Sequence, residues 1–244
     1  MSLIEHFEEL RTRLFIALGA WIVASGAAFA FRFELLEWLN QPLPDNLTLA
    51  AFGIFEPFIV SMQVSSFFGL VVAAPVIGGQ VWGFVAPGLY PEERRWAVPF
   101  ILLTAVAFSG GVIFSRYVVL PFSIPIIVAF LGGDVNVIPS VGDYVSKVVM
   151  IMAVFGLIFE MPVVGFLLAR LGIVNADMLK NFRRWAIVGG MVLAAVITPT
   201  VDPFNFALVA VPLVVLYEVT IVVVRLSQRK AVHERENTEL TSHN

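Results

Sequence analysis

Long runs without a charged residue dominate this sequence of 244 residues. The run over residues 14–31 contains 18 residues, and the run over residues 96–115 contains 20. A helix of about 20 apolar residues, rising roughly 1.5 Å per residue, crosses the ~30 Å hydrocarbon core of a bilayer. These runs therefore predict a bundle of membrane-spanning helices.

The composition favours the same class. Charged residues make up 14% of the chain and the mean hydropathy is +0.91, whereas soluble domains carry about 25% charged residues. The sequence has no basic tract, so nucleic acid is not an expected partner. It has no cysteine, and its three histidines are scattered, so no metal, cofactor or catalytic triad is expected.

The charge-free runs predict six spans, at residues 14–33, 58–82, 96–115, 144–169, 185–201 and 204–224. They divide the chain into a cytoplasmic amphipathic N-terminal helix (1–13), a six-span transmembrane domain (14–224) and a cytoplasmic polar tail (225–244). Trp38 and Leu39 suggest an interfacial helix before a turn at Pro42. An irregular stretch is predicted after the third span from Pro121, Pro125, the Gly132-Gly133-Asp134 turn and Pro139. Glycine pairs such as Gly78-Gly79, Gly110-Gly111 and Gly189-Gly190 predict close helix packing.

Lys and Arg residues are distributed unevenly between the predicted loops. Twelve of the 15 lie at the N-terminus, after the second span, after the fourth span or in the tail. The other three are Arg32, Arg116 and Lys147. Since Lys and Arg accumulate in cytoplasmic loops, both termini are predicted to be cytoplasmic.

The hairpin of the fifth and sixth spans looks short. Residues 185–199 leave room for only ~20 Å of helix, which is less than the ~30 Å of hydrocarbon. Either the bilayer is thinner around this hairpin or other protein segments shelter it.

Two charged segments could bind a ligand on the cytoplasmic face. In the first, apolar residues at positions 3, 7, 10 and 14 predict an amphipathic helix, and Glu9 precedes Arg13 by the spacing of a helical ion pair. In the second, residues 87–95, Glu93 is followed by Arg94 and Arg95. These charges either pair locally and set the orientation, or Glu9 and Glu93 form a two-carboxylate site. Two carboxylates suit two adjacent arginines, because each guanidinium can form two parallel hydrogen bonds with a carboxylate.

Glu160 lies in the middle of the fourth predicted span, two residues before Pro162. An ionisable group at that depth costs at least about 2.5–3.5 kcal/mol on insertion scales. Pro162 cannot donate to the carbonyl of Ile158, so a kink is predicted beside the carboxyl. The carboxyl is a neutral group bonded within the bundle, a docking group for a partner, or a proton or ion relay.

Other polar residues within the spans have simpler interpretations. Gln63 and Gln80 are each able to bond a neighbouring helix, and Gln80 shares with Glu160 the status of a candidate docking group. Glu218 is interpreted as an end-group that reaches towards the interface, with Arg225 one and a half to two turns further along.

Four motifs in order along the chain carry a resemblance to a known family. They are His6-Phe7-Glu8-Glu9-Leu10-Arg11-Thr12-Arg13-Leu14; Pro42, Phe84 and Pro87 with Leu89-Tyr90-Pro91-Glu92-Glu93-Arg94-Arg95; Phe155-Gly156 with Phe159-Glu160 and Pro162; and Ile197-Thr198-Pro199 with Asp202. Together they resemble the TatC family, the multi-spanning core of the twin-arginine (Tat) protein translocase. The resemblance covers residues 3 to about 225.

The resemblance implies an all-α integral membrane protein with six transmembrane helices, multi-pass in the cell membrane and part of an oligomeric complex. TatC-like proteins bind twin-arginine signal peptides of folded cargo and use the proton-motive force. Their partners are single-span TatA- and TatB-type subunits and the lipid bilayer, and they use no cofactor.

The resemblance also implies roles for residues of this chain. The implied signal-peptide site contains Glu9 and Glu93, together with Phe84, Arg11, Arg13, Arg94 and Arg95. Glu160 and Gln80 are the implied partner-docking residues, and the implied periplasmic turns contain Pro42, Pro199 and Asp202. Asn205-Phe206 departs from the residues common in the family, so no function is assigned to that pair.

Two other classes of membrane protein are alternatives. A proton- or ion-coupled secondary transporter would use Glu160 as an intramembrane relay, but neither repeat symmetry nor a discontinuous helix is evident in the sequence. An intramembrane enzyme would need a Ser/His pair, paired aspartates or a metal site, and the sequence offers none of them.

Overall fold

The computed structural model describes residues 3–44, 47–88, 97–129, 138–198 and 202–242, with side chains for those between 5 and 228. These ranges are almost entirely helical and contain one isolated parallel bridge, between Ala50 and Ser140. The all-α prediction is confirmed. The helices are α1 (Leu3–Ala30), α2 (Arg32–Asn40), α3 (Glu56–Val85), α4 (Ala97–Phe114), α5 (Leu120–Ala129), α6 (Val141–Phe159), α7 (Met161–Arg170), α8 (Ala176–Ile197) and α9 (Pro203–Ser242).

Five helical segments in the described residues are long and apolar enough to cross a membrane. They are Glu5–Ala30, Glu56–Gly88, Ala97–Ala129, Val141–Arg170 and Pro203–Gln228. Helix α8 is the remaining candidate, and its uncharged part, residues 185–197, is only about 20 Å long at 1.5 Å per residue. The segment Pro203–Gln228 has 26 residues, so the shortness of the hairpin lies in α8.

The chain divides into two compact units. The first contains Met1–Pro87 and Trp96–Leu157, and the second contains Gly88–Arg95 and Ile158–Asn244. In the first unit α1 packs along α3, and α3 also packs against α2 and α4. The indole N–H of Trp21 on α1 donates to the carbonyl of Ser66 on α3 at 2.8 Å, which ties the middle of the two helices together.

Glycines permit the closest helix contacts in the first unit. A Cβ on Gly111 of α4 would lie 2.8 Å from the Cα of Gly156 on α6, and a Cβ on Gly78 of α3 would lie 3.0 Å from the Thr104 methyl. Small residues let helix backbones approach in this way. The packing prediction is confirmed at these two positions. At Gly189 no close packing is seen, since a Cβ there would meet no atom of the described residues within 4 Å.

The first part of the irregular stretch predicted after the third span is helical, up to Ala129. Pro139 is not helical, as predicted, and the Gly132-Gly133-Asp134 turn lies outside the described residues. Ser115–Val119 forms a π-helical turn in which the Leu120 N–H bonds the carbonyl of Ser115, and α5 follows directly. Pro121 is the second residue of α5 and directly follows this π-helical turn, in which the hydrogen bonding has already shifted from the regular α-helical pattern that a proline cannot complete. Pro125 lies further inside α5, as prolines in membrane helices often do because neighbouring groups compensate the freed carbonyl. The two prolines did not end the span.

Arg116 in the π-helical turn holds the end of α2. Its Nη2 donates to the Trp38 carbonyl at 2.8 Å and to the Gln41 side-chain oxygen at 2.9 Å, and Tyr144 donates to the Leu39 carbonyl at 3.0 Å. The last carbonyls of a helix lack partners within it, so these donors fix where α2 stops. Half-buried Pro42 lies in the turn that follows, as predicted.

In the second unit α9 packs against both α7 and α8. Arg183 on α8 forms a two-pronged ion pair with Glu218 on α9, with Nε 2.6 Å from Oε1. Tyr217 donates to the Leu179 carbonyl at 2.7 Å. The interpretation of Glu218 as an end-group near the interface did not include this ion pair, in which the neighbouring helix supplies a guanidinium in reach of both carboxylate oxygens.

Candidate functional site

The N-terminal end of α1 meets the C-terminal end of α3. The rings of His6 and Phe84 stack there, with centroids 4.4 Å apart and an interplanar angle of 21°. This contact forms because α1 and α3 pack together along their length. It puts the Glu9 turn of α1 beside the point where the chain leaves α3 towards residues 89–96.

Glu9 and Arg13 form the predicted ion pair on α1. The Arg13 Nε and Nη2 atoms lie 2.9 Å and 2.6 Å from the same carboxylate oxygen, Oε1. The side chains are 19% exposed for Glu9 and 28% for Arg13. The other oxygen, Oε2, is buried and accepts no hydrogen bond from any residue that the structure describes.

This geometry leaves half of a carboxylate available in a sheltered position. A buried acceptor without a donor costs about 1–3 kcal/mol, more when it is charged. A guanidinium arriving at Oε2 would remove that cost and form a charge-assisted bond. The arrangement can therefore select a cation that carries directional N–H groups.

The other residues predicted for this site have separate outcomes. Phe84 is present in the junction as the partner of His6. Arg11 is exposed on α1. Glu93, Arg94 and Arg95 lie outside the described residues. The apolar stripe of the N-terminal helix has no cover among the described residues, since Phe7 is 69% exposed and Leu14 is 65% exposed.

Glu160 stands at the junction of α6 and α7. It is half-buried, and the helix is interrupted at this residue, two positions before Pro162. Its carbonyl accepts from the Val164 N–H at 2.8 Å and so begins α7, but its carboxyl does not cap that helix. The predicted interruption next to the carboxyl is confirmed. Gln80 is half-buried on α3.

Comparison with known proteins decides the family. Residues 5–212 match the family model described as Sec-independent protein translocase protein (TatC). The chain belongs to the TatC family. A TatC of Deinococcus radiodurans is 42% identical over 241 residues, covering 96% of this chain and 89% of the relative. TatCy of Bacillus subtilis is 37% identical, covering 95% and 91%.

A solved TatC structure has the same fold. The crystal structure described as the twin-arginine translocase receptor TatC superposes with a TM-score of 0.80 at 33% identity, covering 91% of this chain and 99% of that one. This chain is accordingly a multi-pass membrane subunit of a Tat protein translocase, with α8 completing six spans.

In this TatC family member the last predicted periplasmic turn leads into a helix cap. Asp202 is 8% exposed, and its Oδ1 accepts from the Asn205 N–H at 2.8 Å. The Asn205 amide donates to Oδ2, also at 2.8 Å. Pro203 occupies the first helical position, where its ring is favoured. Pro199 lies outside the described residues.

The structural roles of two residues were not predicted from the sequence. Asn205, to which no function was assigned, is 2% exposed and completes the cap of α9. The sequence signal that could have predicted this cap is an Asp followed by Pro, with a polar residue three positions after the Asp. From the sequence, His6 is excluded as a metal ligand and belongs to the first family motif, but no contact is assigned to it. Its partner Phe84 is distant in sequence, so the ring stack left no local signal.

Proposed function

We propose that this chain is the signal-peptide receptor of its translocase and that Glu9 binds one arginine of a twin-arginine signal. The observation that supports this most strongly is the sheltered Oε2 atom of Glu9, which no described residue bonds. Glu93 is proposed as the second carboxylate, because the segment that carries it follows directly from the α3 end beside Glu9. The chain acts by binding and assembly and not as an enzyme.

The chemistry of the ligand follows from the geometry of a carboxylate. A guanidinium presents its N–H groups in a rigid planar fork, so one N–H can point at the Oε2 atom of Glu9 while another reaches a neighbouring acceptor, whereas an ammonium is a point charge without a fork. Two carboxylates close to each other would hold two neighbouring arginines. Phe84, Arg11, Arg13, Arg94 and Arg95 are proposed as the surroundings of this pair.

A lysine pair should bind more weakly than an arginine pair. Hydrogen bonds to charged groups contribute about 1.5–3 kcal/mol each, so loss of the fork should lower the affinity about tenfold or more. The measurement is the dissociation constant of a fluorescent signal peptide for the purified full chain in lipid nanodiscs, with Arg-Arg and Lys-Lys versions compared. Equal affinity for the two peptides would contradict the proposed function.

We propose that both termini face the cytoplasm of a cell whose plasma membrane holds the chain. Twelve of the 15 basic residues support this orientation. The contact between His6 and Phe84 supports one part of it, because it puts the start of α1 and the end of α3 at the same membrane face.

The natural absence of cysteine makes the orientation directly testable. Single cysteines replacing Asp45 or Asp134 should react with a membrane-impermeant maleimide in intact cells. Cysteines replacing Glu92 or Asn244 should react only after the membrane is opened. Labelling of position 244 in intact cells would reverse the proposed orientation.

We further propose that Glu160, with Gln80 as a second candidate, docks the single-span TatA- and TatB-type subunits, and that transport of folded cargo uses the proton-motive force. The support for Glu160 is its half-buried position within a span, at an interruption of the helix. A carboxyl at membrane depth is expensive and is therefore expected to have a functional partner.

A further inference from the structure

Gly83 provides the space in which the Arg13 guanidinium lies. It is the residue before Phe84 on α3, and a Cβ built on it would lie 2.7 Å from Arg13 Cζ and overlap Nη1. Real Cβ atoms do not approach other atoms so closely. Any residue with a side chain at position 83 would displace the guanidinium of Arg13 or push α1 away from α3.

The same environment is absent one turn earlier on α3. A Cβ built on Gly79 would meet only the Ile101 side chain, at an ordinary distance of 3.6 Å. Gly79 and Gly83 occupy the same helix and are both half-buried. The two glycines therefore form a matched pair, of which only Gly83 contacts Arg13.

The space beside Gly83 determines how Arg13 meets Glu9. The guanidinium directs Nη1 towards Gly83 and turns Nε and Nη2 to a single oxygen, Oε1, of Glu9. A symmetrical fork would occupy both oxygens of the carboxylate. Here Oε2 stays buried and accepts no bond from the described residues.

An ordinary ion pair on a helix surface does not account for this arrangement. Pairs four residues apart contribute only about 0.2–0.5 kcal/mol and do not need a second helix. In this chain the guanidinium is wedged between α1 and α3, at the end of these helices where the His6 and Phe84 rings also meet. The position of the Arg13 guanidinium between the two helices restricts the direction of the Glu9 carboxylate that it bonds.

We infer that Gly83 and Arg13 form a positioning pair, which holds Glu9 with Oε1 occupied and Oε2 presented to the arginine of a signal peptide. This inference rests on the proposed function and adds a specificity determinant to it. Arg13 acts through Glu9 and does not itself bind the peptide. Gly83 acts through Arg13, because it is the residue that leaves room for the guanidinium.

The expected effect of Gly83→Ala is a loss of selectivity as well as of affinity. With the Arg13 guanidinium displaced, Oε2 is no longer held in the direction of the arriving arginine, so the Arg-Arg peptide should bind about tenfold more weakly. The ammonium groups of the Lys-Lys peptide have no fixed donor plane and depend less on that direction, so the affinity of this peptide should fall much less. Gly79→Ala should leave both affinities within about twofold of the wild type, since its Cβ makes only an ordinary contact.

Arg13→Lys supplies the second arm of the test. The smaller lysine ammonium does not need the space beside Gly83. Adding Gly83→Ala to Arg13→Lys should therefore lower the affinity for the Arg-Arg peptide little further. This double-mutant cycle isolates the coupling between the two positions. All variants are compared as full chains in nanodiscs with the same Arg-Arg and Lys-Lys peptides, and their thermal unfolding is monitored.

The outcomes separate this inference from the function on which it rests. If Gly83→Ala lowers the affinity for both peptides equally, Gly83 acts through helix packing and the positioning role is wrong. The positioning role is also wrong if Gly83→Ala lowers the affinity as much in the Arg13→Lys background as in the wild type. The same conclusion follows if Gly83→Ala behaves like Gly79→Ala while the wild type prefers Arg-Arg. If the wild type shows no preference between the peptides, the proposed receptor function itself fails.

Discussion

Replacing Glu9 and Glu93 together by alanine is expected to lower the affinity for a twin-arginine signal peptide by about a hundredfold, since each lost carboxylate removes about 1.5–3 kcal/mol of charged hydrogen bonding. Either single replacement should cost about tenfold. The two effects need not add, because the sites would share one ligand. Glu9→Arg should weaken binding more than Glu9→Ala, because a like charge opposes the ligand.

Neighbouring glutamates supply the control. Glu8 is exposed on α1, and Glu92 directly precedes Glu93 in the chain. The Glu8→Ala, Glu92→Ala double variant removes the same charge from the same two segments. It should bind the Arg-Arg peptide within about threefold of the wild type, because neither Glu8 nor Glu92 belongs to the proposed two-carboxylate site. Undiminished binding by the Glu9, Glu93 double variant would rule out the two-carboxylate site.

The spans were predictable because a single physical constraint sets them. A bilayer core of about 30 Å needs a long apolar helix, so charge-free runs mark the spans without knowledge of tertiary contacts. The wrong predictions came from sequence rules that apply to soluble proteins. Pro121 and Pro125 predict a break in a soluble protein, but here a π-helical turn precedes them and the helix continues to Ala129.

The fifth span was predicted to begin at Trp185, and no start of the helix itself was predicted. Charged residues before Trp185 defined the predicted span, although they do not end a helix. The helix begins at Ala176, capped by Asn175, whose side chain accepts from the Met178 N–H at 2.8 Å. An Asn followed by Asp177 in the first turn is a readable start signal. Hydropathy marks where the bilayer lies, and capping marks where the helix starts.

Spacing along the chain predicted only the local half of the candidate site, and Phe84 on α3 was implied by the family resemblance alone. The pair of Glu9 and Arg13 follows from helix spacing and is confirmed. The contribution of α3 depends on which helices pack together, which no spacing reveals. For the same reason Glu218 was assigned no partner from the sequence, although Arg183 on the neighbouring helix bonds it.

Glu160 allows a docking role to be distinguished from a proton relay and from a purely structural role. The residue is half-buried within the segment Val141–Arg170 that is long enough to span a membrane. Glutamine keeps hydrogen-bonding capacity at nearly the same volume but cannot carry a proton. Alanine removes both the volume and the polarity, whereas methionine keeps most of the volume and removes the hydrogen bonds. The three replacements therefore separate proton transfer, hydrogen bonding and volume.

If Glu160 docks a polar group of a single-span partner, Glu160→Gln should retain most partner cross-linking and cargo export. Glu160→Ala and Glu160→Met should each lose about tenfold or more in partner capture, because the partner's buried polar group is left without a bond. Binding of signal peptide at Glu9 should stay within about twofold of the wild type in all three, since Glu160 is not part of the proposed signal-peptide site. A proton relay would make Gln as inactive as Ala. A structural role would let Met replace Glu without loss of capture, so normal cross-linking in Glu160→Met would exclude docking through this carboxyl. The measurements are partner cross-linking and export in membranes, with peptide affinity measured on the same preparations.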